Sequence, residues 1–462
     1  MTNHNTTCGK VYLIGSGPGD PGLLTCRAKQ LLSECDVVCY DKLVAPAILA
    51  TIPCHVQLHQ VGYRGYQGGH INYDMHPDVL EFALAGKSVA RLKSGDPCIF
   101  GRTTEECRDL KSHDIPYEIV PGITAALGAA AYSGFPLTSA GVASSVTFVS
   151  GHEHSKTIAS WGELGRSGGT LVLYMGAKKL AAHATNLIEN GRNPTTPIAL
   201  ISSATRADHV CLIATLETIG EKLKTCEITG PALTIIGEVV AQSSEMDWRN
   251  SLPLTGVRFM VAGQYSCSRL LKEQGGEVIS IPELSNESLL DKEDLEYLSN
   301  QNELAFSDLT SFNTWMKALK EYSYDIRKFA MPLGSTSAVV REAMQDIGIT
   351  PQNLATTALT LTVDEAKAFG DKSHFYLVGR LTNEPLGYSL PETQWLLVDD
   401  VVIAQYLLQY QPELADGLKI VPLNDQAKEW ALEKGLIVNG EETPEFIDTA
   451  ELSDSYACSY VA

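Results

Sequence analysis

The residues best suited to chemistry lie in the segment 91–102, where Ser94, Gly95, Asp96 and Pro97 follow an apolar, strand-like run. Ser94 and Gly95 allow backbone N–H and C=O groups to come close to a ligand. Asp96 offers a carboxylate to an ammonium group or a ribose hydroxyl, and Pro97 fixes the exit of the turn. S-adenosylmethionine carries both of these groups, so the segment favours methyl transfer. Taken alone, Asp96 is more simply explained as a helix cap or an Asx turn.

Two further segments, 11–22 and 120–126, repeat the order of strand, glycine turn and helix. The first contains Gly15-Ser-Gly-Pro-Gly19, but a dinucleotide-binding fingerprint needs a third glycine where Asp20 stands. Pro18 also removes a backbone N–H donor from the turn. A nicotinamide-dependent oxidoreductase is therefore disfavoured. For this segment alone, a tight turn without a ligand explains the glycines equally well.

The three turns belong to a pattern in which short β-branched runs alternate with helical stretches, from residue 11 to about residue 240. This alternation predicts an α/β architecture with largely parallel strands, in which the three turns line one cleft. A helix over 23–32 should follow Asp20-Pro21, and another over 78–85 should end at Gly86. A break near residues 120–122 divides this half into two lobes. The predicted strands are 11–14, 36–40, 88–92, 117–120, 146–150, 170–174, 197–201, 210–214 and 232–237.

A polar, aperiodic stretch over 242–253 is predicted to link this half to a second one. There the α/β pattern restarts, and it allows the second α/β domain, over 254–440, to be bilobal. Residues 441–462 are rich in Glu, Asp, Ser and Thr and are predicted to form a poorly ordered acidic tail. The second half has a predicted helix at 268–274 and predicted strands at 258–261, 277–281, 304–306, 329–333, 374–378 and 395–398.

Charge and cysteine content disfavour several classes of protein. The formal net charge is -20, and Lys+Arg against Asp+Glu number 20 and 23 in residues 1–250 but 15 and 32 in residues 251–462. Nucleic acids and anionic membranes bind basic surfaces, so neither is an expected partner. The 11 cysteines are scattered and never form Cys-x-x-Cys, so neither a disulfide framework nor a zinc site, and no other metal, is expected. Without a signal-like N-terminus or a membrane-length apolar run, a cytoplasmic enzyme is expected.

Seven ordered segments of the first half carry a family resemblance. They are GSGPGDPGLLT (15–25), YDKLV (40–44), RLKSGDPCIFGR (91–102), VPGITAA (120–126), FPLT (135–138), LVLYMG (171–176) and PALTIIGEVV (231–240). Over about residues 9–241 the chain resembles the uroporphyrinogen-III C-methyltransferases of the tetrapyrrole methylase family. The resemblance implies a homodimeric, bilobal α/β enzyme with lobes at about 9–120 and 121–241. It further implies that S-adenosylmethionine binds between the lobes and methylates two pyrrole carbons of uroporphyrinogen III. The product would be precorrin-2, which leads to sirohaem and cobalamin.

The resemblance also implies roles for particular positions. Asp41 aligns with the catalytic proton acceptor, and Tyr63 stands where a lysine is credited with proton donation. Met175, taken alone, is better explained as a core methionine. The methyl-donor site would comprise Pro18, Ser94, Gly95, Asp96, Ile99, Thr124, Ala125, Met175 and Ala204. The carboxylates of such a substrate need hydrogen-bond donors, and the candidates are Arg64, Lys93, Arg102 or the backbone. Lys93 and Arg102 are equally well explained as solvated residues flanking the turn.

Some positions depart from the family pattern. Ser94 and Ala204 replace glycines, which crowds the donor pocket slightly. Tyr63 is neutral at pH 7, since the reference pKa of tyrosine is about 10. The common His-Arg after Thr138 is Ser139-Ala140 here, so a further cation is missing. A tetrapyrrole methylase acting on a different substrate therefore stays open as an alternative.

The second half resembles uroporphyrinogen-III synthase more weakly. The segments LTGVRFMVAG (254–263), LLKEQGGEVISIP (270–282), LAFS (304–307) and PLGSTSA (332–338) carry this resemblance. The family's Thr-Arg-Pro is Ala262-Gly263-Gln264 here, and its Ser-Ala-Asn-Gly is replaced by residues 307–310. Two explanations stay open: a second activity as uroporphyrinogen-III synthase, or a non-catalytic docking or dimerisation module.

Overall fold

The computed structural model describes residues 8–62, 74–151, 161–226, 228–263, 267–281, 283–355, 357–371, 373–382, 386–415 and 417–436. The chain separates into two compact units. The first comprises Met1–Ile52, Val56–Val257 and Glu273–Glu277, and the second comprises Pro53–His55, Arg258–Lys272 and Val278–Ala462. The expected acidic tail over 441–462 lies outside the described residues.

The first lobe of the first unit is built on a five-stranded sheet of order β3-β2-β4-β1-β5, in which every neighbouring pair is parallel. Strands β2 and β4 are buried at every residue because helices cover both faces of such a sheet. The elements are β1 (Val11–Gly15), α1 (Cys26–Glu34), β2 (Val37–Tyr40), α2 (Pro46–Leu49), β3 (Gln57–Gln60), α3 (Pro77–Leu84), β4 (Val89–Lys93), α4 (Thr103–Ser112) and β5 (Tyr117–Val120).

The first predicted helix begins later than expected. Asp20 accepts a hydrogen bond from the Gly22 N–H and caps only a short 3-10 helix, Pro21–Leu23. Thr25 then accepts a hydrogen bond from the Ala28 N–H and caps α1. The prediction from Asp20-Pro21 was therefore wrong in its starting point, because a second cap, Thr25, begins the α-helix after the short 3-10 helix.

The second lobe contains a five-stranded sheet of order β6-β7-β10-β8-β9. Only β6 and β7 pair in parallel; the other three pairs are antiparallel. The expectation of largely parallel strands therefore holds for the first lobe and fails here, since short connections such as 203–209 can join only antiparallel strands. The elements are α5 (Ala125–Tyr132), β6 (Val146–Ser150), α6 (Trp161–Arg166), β7 (Thr170–Tyr174), α7 (Leu180–Glu189), β8 (Pro197–Ser202), β9 (Val210–Thr215), α8 (Ile219–Lys222), β10 (Ala232–Ile236) and α9 (Ser243–Met246).

The segment 242–253, expected to be a linker, packs within the first unit. The Trp248 indole N–H donates to the Ala131 carbonyl at 2.9 Å, and Arg249 Nη2 donates to the Arg206 carbonyl at 2.8 Å. Arg249 is buried, and α9 lies inside the segment. The boundary between the units therefore falls after Val257, because these side chains attach the polar stretch to the second lobe.

The second unit contains two four-stranded sheets, of order β12-β11-β19-β20 and β15-β14-β16-β17. In the second sheet all pairs are parallel, and in the first β19 pairs in parallel with β11 and β20. The elements are β11 (Arg258–Ala262), α10 (Cys267–Glu273), β12 (Glu277–Ile281), β13 (Asn286–Ser288), α11 (Lys292–Ser299), β14 (Leu304–Phe306), α12 (Leu309–Glu321), β15 (Leu333–Gly334), α13 (Ala338–Asp346), β16 (Leu359–Thr362), α14 (Glu365–Gly370), β17 (Phe375–Leu377), β18 (Gly379–Leu381), β19 (Trp395–Val398), α15 (Val401–Tyr410), β20 (Lys419–Pro422) and α16 (Asp425–Glu433).

One predicted strand of this unit, at 329–333, was wrong. Phe329 instead ends a 3-10 helix, Ile326–Lys328, and only Leu333 enters a strand. Pro332 lies between them and cannot donate to a sheet.

Within the described ranges, no helix is long and apolar enough to cross a membrane.

Candidate active site

The three glycine turns of the first unit meet at the carboxyl ends of β1, β4 and β5. Gly17 and Gly95 exchange two backbone hydrogen bonds, of 3.1 and 2.9 Å. A Cβ atom placed on Gly122 would lie 2.4 Å from the Gly95 oxygen and 2.8 Å from the Gly15 Cα, so no side chain fits there. The turns thus form one continuous surface of backbone, which can approach a ligand closely.

Asp96 holds two of these turns together. Its Oδ1 accepts from the Cys98 N–H at 2.8 Å, which closes an Asx turn, and its Oδ2 accepts from the Gly122 N–H at 3.0 Å. The prediction that Asp96 closes an Asx turn is therefore confirmed for its Oδ1 atom. Because a carboxylate has about four acceptor sites, two remain for an ammonium group or a hydroxyl. Ser94, beside it, is exposed.

The third turn leads into α5, whose first residues face Gly95. Thr124 Oγ1 shares a 2.7 Å hydrogen bond with the Tyr174 hydroxyl, which also accepts from the Ala126 N–H at 3.1 Å. The Ala125 N–H has no hydrogen-bond partner among the described residues, and its nitrogen would lie 3.5 Å from a Cβ on Gly95. A helix N-terminus with an unused N–H suits the carboxylate of an amino acid.

The loop after β8 adjoins the first glycine turn. The Asp20 N–H donates to Thr205 Oγ1 at 3.0 Å, which joins the loop containing the half-buried Ala204 to the turn containing Pro18. Thr205 has a φ of 73° and Ser203 a φ of 47°, a left-handed conformation that residues other than glycine seldom adopt. Such strain is common at functional sites, where the surrounding structure imposes it.

Met175 is not a core methionine. It is 47% exposed and has a φ of 58°, directly after the buried strand β7. The neighbouring Tyr174 ring packs at a tilt against Phe100 and edge-to-face against Phe148, with centroid distances of 5.1 and 5.8 Å. Ile99 is half-buried in the turn after Asp96. The core interpretation was therefore wrong, and Met175 adjoins an aromatic surface.

Asp41, the predicted proton acceptor, follows β2 and belongs to a network of charges. Arg91 Nη2 donates to Asp41 Oδ1 at 2.6 Å, while Arg91 Nε lies 3.5 Å from Glu106 Oε1. Burial would lower the pKa of Arg91, but the charges of Asp41 and Glu106 outweigh burial and raise it. The side chain of Asp41 is 28% exposed, so a proton can reach it.

Lys93 does not suit the role of a substrate ligand. Its Nζ donates to Glu106 Oε1 at 2.7 Å, and the residue is 6% exposed. Burial lowers the pKa of Lys93 despite the opposing charge of Glu106. Lys93 is therefore not a donor to substrate carboxylates, because its ammonium forms a buried ion pair with Glu106.

A cleft of 1120 Å³ opens beside the turns, between the two lobes. Its volume exceeds that of most sites for small ligands, which run to about 1,000 Å³. Arg102, predicted to bind substrate, lines the cleft with a φ of 58° at the start of α4. Pro97, Cys98, Phe100, Phe148 and Met175 line it as well, so the cleft is continuous with the second turn.

Not every predicted site residue can be placed. Tyr63 and Arg64 lie outside the described residues. Two residues of the site, Glu106 and Tyr174, were not predicted. Arg91 and Lys93 are cations inside the buried strand β4 and require a buried anion, so the sequence contained a signal for Glu106. Among the described residues, no group of three or more His, Cys, Asp or Glu could hold a metal ion.

Comparison with known proteins places the first unit in a family. A family model described as Tetrapyrrole (Corrin/Porphyrin) Methylases matches residues 10–220. The S-adenosyl-L-methionine-dependent uroporphyrinogen III methyltransferase of Methanosarcina barkeri is 41% identical over 237 residues, covering 50% of this chain and 92% of that protein. The chain belongs to the tetrapyrrole methylase family.

Two other relatives show how much of the chain the similarity to this family covers. The siroheme synthase of Pseudomonas fluorescens is 44% identical to this tetrapyrrole methylase over 243 residues, which is 52% of each protein. The chain thus spans about half the length of the siroheme synthases that it matches. A crystal structure of uroporphyrin-III C-methyl transferase from Thermus thermophilus with S-adenyl homocysteine is 39% identical, covers 50% of this chain and 99% of that one, and has a TM-score of 0.44.

Proposed function

We propose that residues 1–241 transfer methyl groups from S-adenosylmethionine to two pyrrole carbons of uroporphyrinogen III, giving precorrin-2. The observation that carries this proposal is the meeting of three glycine turns beside a large cleft within one unit. The name of the relative from Methanosarcina barkeri supports the choice of donor and substrate. Precorrin-2 would serve the sirohaem or cobalamin branch of tetrapyrrole biosynthesis.

The donor would lie across the three turns. Its amino-acid portion fits the unused Ala125 N–H and the free lone pairs of Asp96, and its remaining portion would contact Pro18, Ile99 and Ala204. When bound, S-adenosylmethionine supplies a methyl group that is already activated, so no protein nucleophile is needed. The residues contribute by orientation, which can lower a barrier by about 7–11 kcal/mol.

Asp41 is the group that would take or relay the proton lost after each methyl transfer. Its Oδ1 accepts a hydrogen bond from Arg91 Nη2 at 2.6 Å, which holds the carboxylate in place directly after β2. The carboxylate also lies at the carboxyl end of a parallel strand, where open α/β sheets bind ligands. Tyr63 as proton donor, and Arg64 and Arg102 as ligands of substrate carboxylates, complete the proposal.

Mass spectrometry tests the reaction directly. The purified chain is incubated with uroporphyrinogen III and S-adenosylmethionine, and the mass of the tetrapyrrole is followed with time. Two added methyl groups are expected. If uroporphyrinogen III gains none while the chain still binds S-adenosylhomocysteine, a different tetrapyrrole substrate is favoured.

For the second unit we propose a synthase-like domain over 254–440, whose role is docking or dimerisation rather than catalysis. Asp308 follows β14, and Asp399 and Asp400 follow β19, so three carboxylates gather where ligands of parallel sheets bind. An octacarboxylate substrate needs cations at its binding site, whereas the residues gathered at this edge are acidic. Incubating the full chain with hydroxymethylbilane decides the matter, because type III product would establish synthase activity and only type I product would exclude it.

The proposed enzyme is a cytoplasmic homodimer. Light scattering from the purified chain would give twice the monomer mass if this is correct. A monomer mass at micromolar concentration would contradict the dimer and leave the proposed reaction untouched.

A further inference from the structure

We propose that Arg108 and Lys111, on the face of α4 that lines the cleft, bind the carboxylate side chains of the substrate and select polycarboxylated macrocycles. This inference rests on the function proposed above, and it assigns a specificity role to two residues outside the donor site. The ligand class is a tetrapyrrole with many acidic side chains.

The first support is the position of the two cations. Both side chains are exposed and line the cleft of 1120 Å³. They are three residues apart on α4, so they lie on one face of the helix. Within the described part of the chain, neither side chain has an ion-pair partner or a hydrogen bond. Their charges are therefore available to a ligand.

The second support is the division of the cleft into two regions. Near the donor turns its wall is apolar and aromatic, with Phe100, Phe148 and Met175. At and along α4, the charged residues among the described ones that line the cleft are the cations Arg102, Arg108 and Lys111 and the anion Glu105. A tetrapyrrole macrocycle with acidic substituents matches both regions: its pyrrole rings would pack on the apolar wall while its carboxylates face the cations.

The third support is the shortage of other cations for a substrate with eight carboxylates. Lys93 is bound to Glu106 at 2.7 Å, and Ser139-Ala140 supplies no charge. The chain as a whole carries a net charge of -20, which repels polyanions. Unneutralised cations inside the cleft would offset this repulsion locally.

Binding of stable porphyrins tests the proposal. The full chain, the double variant Arg108→Gln/Lys111→Gln and a matched control, Lys29→Gln/Lys178→Gln, are titrated with uroporphyrin III, an octacarboxylate, and coproporphyrin III, a tetracarboxylate. Lys29 and Lys178 are exposed on the same unit but do not line the cleft, so the control removes the same charge elsewhere. Calorimetry with S-adenosylhomocysteine checks that the donor site stays intact.

We expect the cleft variant to bind uroporphyrin III about 10-fold more weakly, since each exposed charge pair contributes up to a few-fold. The loss should be smaller for coproporphyrin III and should shrink at high salt. Binding of S-adenosylhomocysteine and uroporphyrin binding by the control should be unchanged. Unchanged uroporphyrin affinity in the cleft variant, or an equal loss in the control, would overturn the proposal. Wild-type protein that binds uroporphyrin but methylates nothing would refute only the proposed reaction.

Discussion

Replacing Gly122 with alanine tests whether contact between the three turns creates the donor site. The new Cβ would lie 2.4 Å from the Gly95 oxygen and 2.8 Å from the Gly15 Cα, and both neighbours are backbone. Carbon atoms pack at about 3.5–4.0 Å, so the third turn must retreat by about 1 Å. The 3.0 Å hydrogen bond from the Gly122 N–H to Asp96 would then be lost.

This displacement has two measurable effects. Overpacking of this kind costs about 1–3 kcal/mol of unfolding free energy. S-adenosylhomocysteine should bind at least about 10-fold more weakly, which corresponds to about 1.4 kcal/mol. Urea denaturation measures the first effect and isothermal titration calorimetry the second.

A glycine elsewhere in the unit provides the matched control. A Cβ added to Gly168 would have nothing within 4 Å, and Gly168 has no positive φ, so Gly168→Ala should change neither quantity by more than about 0.5 kcal/mol. If Gly122→Ala binds S-adenosylhomocysteine as tightly as the wild type does, the turns do not form the donor site and the reasoning fails.

Three further predictions concern carboxylates. Asp96→Asn leaves one oxygen for two N–H donors, so unfolding should cost about 1–3 kcal/mol less and S-adenosylhomocysteine should bind more weakly; unchanged values in denaturation and calorimetry would be inconsistent with its bridging role. Asp41→Asn should lower kcat for methyl transfer by about 100–10,000-fold with unchanged S-adenosylhomocysteine affinity, and a wild-type rate would exclude the proton role. Burial and the charge of Asp308 raise the pKa of Asp400 to about 8, so the folded state holds a proton that the unfolded chain releases near pH 4. The proton held by Asp400 favours the folded state over the unfolded one. This contribution to stability is fully present below about pH 4 and is lost as the pH rises through about 8. Denaturation should show stability falling between about pH 5 and pH 8, by at least about 1 kcal/mol, and a flatter profile for Asp400→Asn; a rising profile would contradict the assignment.

The central strands and the three turns could be predicted because their signals are local. Short apolar runs that include β-branched residues predict β1 and β4 without reference to distant contacts, and glycine with proline marks each turn. Edge strands such as Gln57–Gln60 were missed, since a polar edge lacks the apolar pattern. The antiparallel pairing in the second lobe was also missed. The direction of a strand depends on the connections between strands and not on the strand's own residues.

The side-chain partners within the site could not be predicted, because they depend on contacts distant in sequence. The sequence predicts Lys93 to be a free cation beside a ligand turn, but α4 brings Glu106 to its ammonium. Without the family resemblance it predicts Met175 to be a core residue, but Met175 has a left-handed backbone and is 47% exposed. The Asp96–Gly122 bond joins residues 26 positions apart, and only the fold of the sheet brings them together.

A crystal structure of the chain with S-adenosylhomocysteine would test the central claim most directly, namely that three turns hold the methyl donor beside the cleft. The account predicts that the ligand touches Gly95, Asp96 and Ala125 together with the turn containing Pro18, and that its sulfur faces the part of the cleft near Met175. A ligand bound away from these turns, or in contact with only one of them, would contradict it.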